Sequence, residues 1–162
     1  MSRARPAPWL LLFASIAVLG TALLSQFVGG LQPCELCLYE RWPYDAVILL
    51  AILALLLRNS RIDRLVLMAA ALAFAAGAVL SFYHVGVEQH WFAGPSACTG
   101  DLKADSPEAL LKALQGRDTV QCDVVQWSFH GVSLAGLNFA VSLALAAYAL
   151  WALGRAQGRR NA

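Results

Sequence analysis

A chain of 162 residues that is 59% hydrophobic and only 14% charged, with a mean hydropathy of +0.60, is not an ordinary soluble domain, in which about a quarter of the residues carry charge. Its formal net charge of +2 provides no basic field for nucleic acid. No internal repeat or nucleotide-binding fingerprint is present, and the composition points to an integral membrane protein.

Four apolar runs occupy most of the length: Trp9–Val28, Pro43–Leu57, Leu65–Val85 and Val132–Leu153. Crossing a bilayer takes about 20 such residues, which three of the runs supply. The second is short and is expected to span by starting earlier, around Leu38, with Tyr39, Trp42 and Tyr44 at headgroup level, or by locally thinning the bilayer, with Asp45 at the interface or in a buried polar contact. The predicted spans are therefore about 9–28, 40–57, 65–85 and 132–153, joined on one side by loops of about 29–39 and 86–131. Arg3, Arg5, Arg58, Arg61, Arg64, Arg155, Arg159 and Arg160 all fall on the opposite side, which places both termini in the cytoplasm by the positive-inside rule. Trp9, Trp42, Trp91, Trp127 and Trp151 flank the runs, as interfacial rings do. A cleaved signal peptide is the competing reading of the N-terminus, but its apolar region exceeds the 7–15 residues of a signal core and no small-x-small site closes it. The expected fold is all-α: a single membrane domain, 1–162, forming an antiparallel four-helix bundle with short connections between neighbours.

In chain order, the first loop carries Cys34-Glu35-Leu36-Cys37, and the second carries Cys98 and Cys122. All four thiols thus lie on the non-cytoplasmic, oxidising side, where disulfides persist. Two pairs suggest a relay. A four-thiolate zinc site would need a second CxxC, which the spacing of Cys98 and Cys122 does not supply, so no metal is expected. Two inert staples are disfavoured because a CxxC bridge closes a very small loop and stabilises little. Without CxxCH, covalent haem is not expected.

In the second loop, Gly94-Pro95-Ser96 marks a turn that leaves the region before Cys98 extended for a partner's groove. Ser106-Pro107-Glu108 opens a short helix that Gly116 ends, with Leu110, Leu111 and Leu114 on one face. That helix is expected either in the membrane interface or packed on the protein's own surface. Gln26, Ser133, Asn138 and Ser142 are expected to bond between helices, and the small residues Ala69 to Ala78 to permit close packing.

Three segments carry a resemblance: Cys34-Glu-Leu-Cys-Leu-Tyr-Glu-Arg41, Tyr83-His84, and Cys122-Asp-Val-Val-Gln-Trp-Ser-Phe-His-Gly131. Together with the order of the spans they resemble the bacterial DsbB family of disulfide bond formation proteins over nearly the whole chain. The resemblance implies a monomeric thiol:quinone oxidoreductase of the bacterial inner membrane. Such an enzyme reoxidises a periplasmic thioredoxin-like oxidase of the DsbA type and passes two electrons to ubiquinone or menaquinone. It implies that Cys98 forms the mixed disulfide with the partner, that Cys122 pairs with Cys98 at rest, that Cys34 exchanges with Cys122, and that Cys37 contacts the quinone. Arg41, with Glu40 beside it, and His84 are implied at the quinone pocket. The DsbA, DsbB and quinone chain is the known means by which the periplasm is kept oxidising.

The chemistry can also be read from the residues. Exchange needs a thiolate near neutral pH. Cys37 is expected to open the second helix, with Arg41 one turn on, and both features would depress its pKa, against Glu35 and Glu40. Arg41 can hydrogen-bond an oxygen on which negative charge develops, and His84, or alternatively Glu88, can handle protons. Two other readings compete. One is a vitamin K epoxide reductase-like thiol and quinone enzyme, against which the order of the cysteines argues. The other is a non-catalytic cysteine or zinc-binding assembly factor.

Overall fold

The computed structural model describes residues 6–57, 59–95, 107 and 120–161. The elements in chain order are α1 (Pro6–Phe27), α2 (Glu35–Tyr39), α3 (Trp42–Leu57), α4 (Ser60–Glu88), a two-stranded hairpin of β1 (Ser128–Phe129) and β2 (Val132–Ser133), and α5 (Leu134–Asn161). Cys98 lies outside the described residues, as does the predicted loop helix apart from Pro107.

As the apolar runs suggest, three helices are long and the second span is short. Helices α1, α4 and the Leu134–Ala156 part of α5 are long and apolar enough to cross a membrane. Helix α3 has 16 residues, about 24 Å at 1.5 Å per residue, short of a hydrocarbon core of about 30 Å. The cause is local. Pro43 has no N–H to continue a helix from the CxxC segment, so the chain turns at Glu40-Arg41 and restarts, with the Tyr44 and Asp45 N–H groups both donating to the Arg41 carbonyl. Proline is tolerated there because it lies in the first turn of the new helix. The expected start of the last span, residue 132, falls instead in the hairpin, which also departs from a wholly helical fold. His130 and Gly131 have φ of 50° and 81° and form its two-residue connection, the pattern of a type I′ turn.

Caps set the ends of α4 and the start of α5. The Asn59 side chain accepts the Arg61 N–H at 2.9 Å, and Ser133 Oγ accepts the Gly136 N–H at 3.1 Å while donating to Glu88. Helix α4 closes with a Schellman arrangement, His90 N–H to the Val87 carbonyl and Trp91 N–H to the Gly86 carbonyl. His90 takes the left-handed conformation there, φ 59°.

Helix α4 is central and packs on α3 and α5, whereas α1 packs mainly on α3 and little on α5. Its small residues allow this: Ala70, Ala71, Gly77 and Ala78 are buried around Phe74. A Cβ at Gly77 would come within 3.2 Å of the Pro43 ring. The core joins Leu11, Tyr44, Val47, Leu67 and Ala149. Outside, Phe13, Leu24, Leu49, Leu56, Leu72 and Leu150 are exposed, while Glu40, Ser81, His84 and Ser142 are buried. Apolar outside with polar groups facing the bundle interior is the pattern of a protein in lipid.

At Gly86 a Cβ would lie 2.1 Å from the Phe92 ring, which stacks on Tyr83 at 5.9 Å. Gly86→Ala must therefore expel Phe92. We expect a loss of about 1–3 kcal/mol, read as a lower thermal unfolding midpoint in detergent. An unchanged midpoint would mean the ring has a second seat.

Candidate redox site

The four residues from Cys34 to Cys37 fold as an N-cap and first turn. Cys34 is the N-cap of α2, in extended backbone, and its Sγ accepts the Cys37 N–H at 3.3 Å. The turn brings the two sulfurs to 3.1 Å, beyond the S–S bond length of about 2.05 Å, and both cysteines are free thiols. Cys34 is 3% exposed and shares a buried cluster with Leu36, Val87 and Cys122. Cys122 is itself fully buried and disulfide-bonded.

Glu40 and His84 converge on this pair. His84 Nε2 stands 3.5 Å from Cys34 Sγ, and its Nδ1 is 2.8 Å from Glu40 Oε1. The second Glu40 oxygen accepts from Asn138 Nδ2 at 2.9 Å, which also donates to Ser81 Oγ. Asn138 Oδ1 accepts the Tyr44 hydroxyl at 2.6 Å, and that hydroxyl in turn accepts from Ser142 at 2.8 Å. Each buried polar group in this hydrogen-bonded network, from Cys34 to Ser142, thereby has a partner, as a low-dielectric interior requires.

The polarity of the thiol pair is opposite to the sequence expectation. Cys37 does not open the helix. It is the third residue of α2, and the open N–H end faces Cys34 instead. Hydrogen bonding from Cys37 holds the Cys34 thiol below its ordinary value of 9.0 against an opposing effect of burial. Cys37, which keeps its proton on that bond and is itself buried, is pushed far up. Arg41, expected to aid Cys37, directs Nη1 to Gln26 Oε1 at 2.8 Å.

A cavity of about 370 Å³ lies between α1 and α5, closed at one end by residues 31–33 and the Cys37–Arg41 segment. Its polar end is formed by Gln26, Cys37, Glu40, Arg41 and Asn138, and its walls by apolar residues such as Val18 and Leu137. Cys34 and His84 are not in its lining; His84 adjoins it through Glu40 on one side and through the Cys34–Cys37 pair on the other. Glu88, the alternative proton handler, accepts from Ser133 Oγ and takes no part in the chain running from Cys34 to Asn138. Sequence reasoning placed Gln26, Asn138 and Ser142 as ordinary interhelical bonds and did not single out Ser81; it put Tyr44 at headgroup level, whereas Tyr44 is buried in the bundle core, where its hydroxyl meets Asn138 and Ser142. A polar residue in an apolar run was the available signal, but a single sequence does not say which partners it meets.

Free vicinal thiols at the head of a lipid-facing helical bundle, next to an apolar cavity with a charged end, define a membrane-embedded dithiol redox protein. Comparison with known proteins makes this specific. The family model for disulfide bond formation protein DsbB matches residues 4–152. Among similar proteins, disulfide bond formation protein B of Haemophilus influenzae (strain 86-028NP) is 39% identical over 134 residues, covering 78% of this chain and 72% of the relative. That of Burkholderia ambifaria is 30% identical over 159 residues, covering 93% and 91%, and that of Aromatoleum aromaticum 31% over 157 residues, 91% of each. No solved structure gives a significant match. The chain belongs to the DsbB family and is a redox-active, multi-pass membrane enzyme, of a family whose general role joins thiol oxidation to quinone.

Proposed function

We propose that this protein reoxidises a periplasmic, thioredoxin-like oxidase of the DsbA type and passes the electrons to ubiquinone or menaquinone in the inner membrane. The observation that carries this reading is the division of the CxxC pair. Cys37 faces the cavity, while Cys34 turns away from it into the buried cluster that holds Cys122. One thiol is thus placed for an acceptor in the membrane and the other for exchange.

The cavity fits a quinone head: apolar walls, a volume of about 370 Å³ for one ring with part of its tail, and donors from Arg41 and Gln26 at one end. A bound quinone would take up two electrons and two protons. The protein's own part is to hold the thiol pair and move protons. Cys34 can release its proton to His84 Nε2, whose Nδ1 is fixed on Glu40, and Glu40 stands in the cavity wall. Arg41 supplies positive charge where negative charge develops. By family resemblance, Cys98 and Cys122 form the resting disulfide, Cys98 takes the partner's thiol, and Cys122 exchanges with Cys34. The four-span topology belongs to the same reading. Helix α3 crosses as the second span, about 40–57, both termini face the cytoplasm, and loops 29–39, which include α2, and 86–131 face the periplasm.

The test mixes purified protein, without oxygen, with a reduced thioredoxin-like dithiol and a soluble ubiquinone or menaquinone analogue, following quinone absorbance. Wild type should reduce the quinone, and Cys37→Ala and Cys98→Ala should each abolish turnover. If wild type leaves both quinones oxidised, the proposal fails.

A further inference from the structure

We propose that the reduced CxxC pair together with His84 is a redox-gated site for a soft divalent cation such as Zn²⁺, which holds the enzyme in its dithiol form. The Sγ atoms of Cys34 and Cys37 and a ring nitrogen of His84 all lie within 4.8 Å of one another, at 3.1 Å between the sulfurs and 3.5 Å from Cys34 Sγ to Nε2. Tetrahedral zinc with Zn–S of about 2.3 Å and Zn–N of about 2.0–2.1 Å places its ligand atoms about 3.5–3.8 Å apart, so the three donors need only small shifts to close on one ion.

A second observation separates this from chelation by any CxxC. A metal-binding histidine nearly always donates its other ring N–H to a carboxylate or carbonyl, which fixes the tautomer and strengthens the ligand. Here Nδ1 meets buried Glu40, itself held by Asn138, so Nε2 presents its lone pair toward the sulfurs. Two thiolates and one imidazole make the Cys₂His set of zinc sites that keep an open fourth position. Cys37 borders the cavity, which supplies an approach for the ion and room for a fourth ligand.

Binding replaces two S–H protons with two metal–sulfur bonds and adds one metal–nitrogen bond, with no change of oxidation state. Forming the Cys34–Cys37 disulfide removes both sulfur donors. The ion and the disulfide therefore exclude each other, and occupancy follows the redox state of the pair. The site itself stands on geometry alone; its inhibitory consequence rests on the quinone reading above.

The test titrates cobalt(II) into detergent-solubilised full-length protein with Cys98→Ser and Cys122→Ser, reduced and freed of reductant. One equivalent should give thiolate-to-cobalt charge transfer and the strong visible bands of a tetrahedral ion, displaced by zinc, and the oxidised protein should give neither. Glu40→Gln, which leaves all three ligands in place, should weaken affinity about 10- to 100-fold, and His84→Ala should weaken it at least as much, with helix content checked by circular dichroism. No tetrahedral spectrum, or an affinity unmoved by both substitutions, would overturn the site. Quinone reduction by metal-free wild type is measured in parallel, so failure of the redox reading is seen separately. Added zinc should stop that turnover and a chelator restore it; turnover unaffected by saturating zinc would overturn the inhibition.

Discussion

Titrated with base, the reduced CxxC pair will show a first thiolate below pH 9.0 that belongs to Cys34, and Cys37→Ala will move it upward. The direction follows from the turn. The Cys37 S–H, 3.1 Å from Cys34 Sγ, stabilises the anion most and outweighs the cost of burial, and the Cys37 N–H, which points at the same sulfur, adds to it. Cys37 experiences the reverse: its proton is held on the bond to Cys34, it is itself buried, and losing the proton would place a second negative charge beside the first. Removing Cys37 deletes the largest of the effects that lower Cys34 and leaves desolvation, which raises it. Each unit of upward movement leaves about tenfold less thiolate at neutral pH.

Thiolate absorbance near 240 nm, in protein carrying Cys98→Ser and Cys122→Ser, measures this directly. Wild type should titrate in two well-separated steps, a property of the coupled pair, with Cys37→Ala above the first and Cys37→Ser below Cys37→Ala because its hydroxyl still donates. Thiol exchange by Cys34 should rise with pH only as far as the first step. A Cys34→Ala protein whose remaining thiol titrates below that of Cys37→Ala would reverse the assignment. Cys37 would then be the thiolate, as its place near Arg41 first suggests.

That reversal shows where the sequence was legible. The CxxC, the arginine asymmetry and the apolar runs identified a helical membrane redox protein, because each depends on composition or on spacing within a few residues. The position of the helix end does not. A one-turn difference in where α2 begins exchanges the roles of Cys34 and Cys37, and boundaries are set by caps whose geometry propensity does not fix. Pro43 was visible as a break, yet it was absorbed into a continuous second span because an uninterrupted run reads as one helix. The His130-Gly131 turn lacks the Asn-Gly or Asp-Gly signal of such hairpins. The convergence of Glu40, His84 and Asn138 was illegible for another reason: the residues are separated by 44 and 98 positions, and only the packing of α4 against its neighbours brings them together.

Glu40→Gln should damage both the stability of the bundle and the reaction, although it changes a single oxygen to an amide nitrogen. Glu40 accepts from two donors at once, His84 Nδ1 and Asn138 Nδ2. Glutamine has one acceptor oxygen and one donating amide group, so with the imidazole proton on Nδ1 it can satisfy only one of them; to accept the glutamine N–H₂, His84 would have to move its proton to Nε2, against Cys34. Rotating the Asn138 amide does not relieve this, because Asn138 Oδ1 is already the acceptor for Tyr44. A buried donor left facing a donor costs about 1–3 kcal/mol, which should appear as a lower unfolding midpoint in detergent. Asn138→Leu should cost at least as much, since it strands a Glu40 oxygen and removes the acceptor of the Tyr44 hydroxyl, which is left with Ser142 alone. For turnover, losing the carboxylate behind His84 removes both the anchor of the imidazole and the proton acceptor in the cavity wall. General acid–base groups contribute about 10²- to 10⁴-fold, and a fall in quinone reduction within that range is expected at neutral pH. Glu40→Asp, which keeps two acceptors on a shorter stem, should recover more of the stability than of the rate, because proton transfer is more sensitive to reach than hydrogen-bond satisfaction is. If Glu40→Gln unfolds at the wild-type temperature and reduces quinone at the wild-type rate, Glu40 is a bystander and the chain from Cys34 to Asn138 carries neither function.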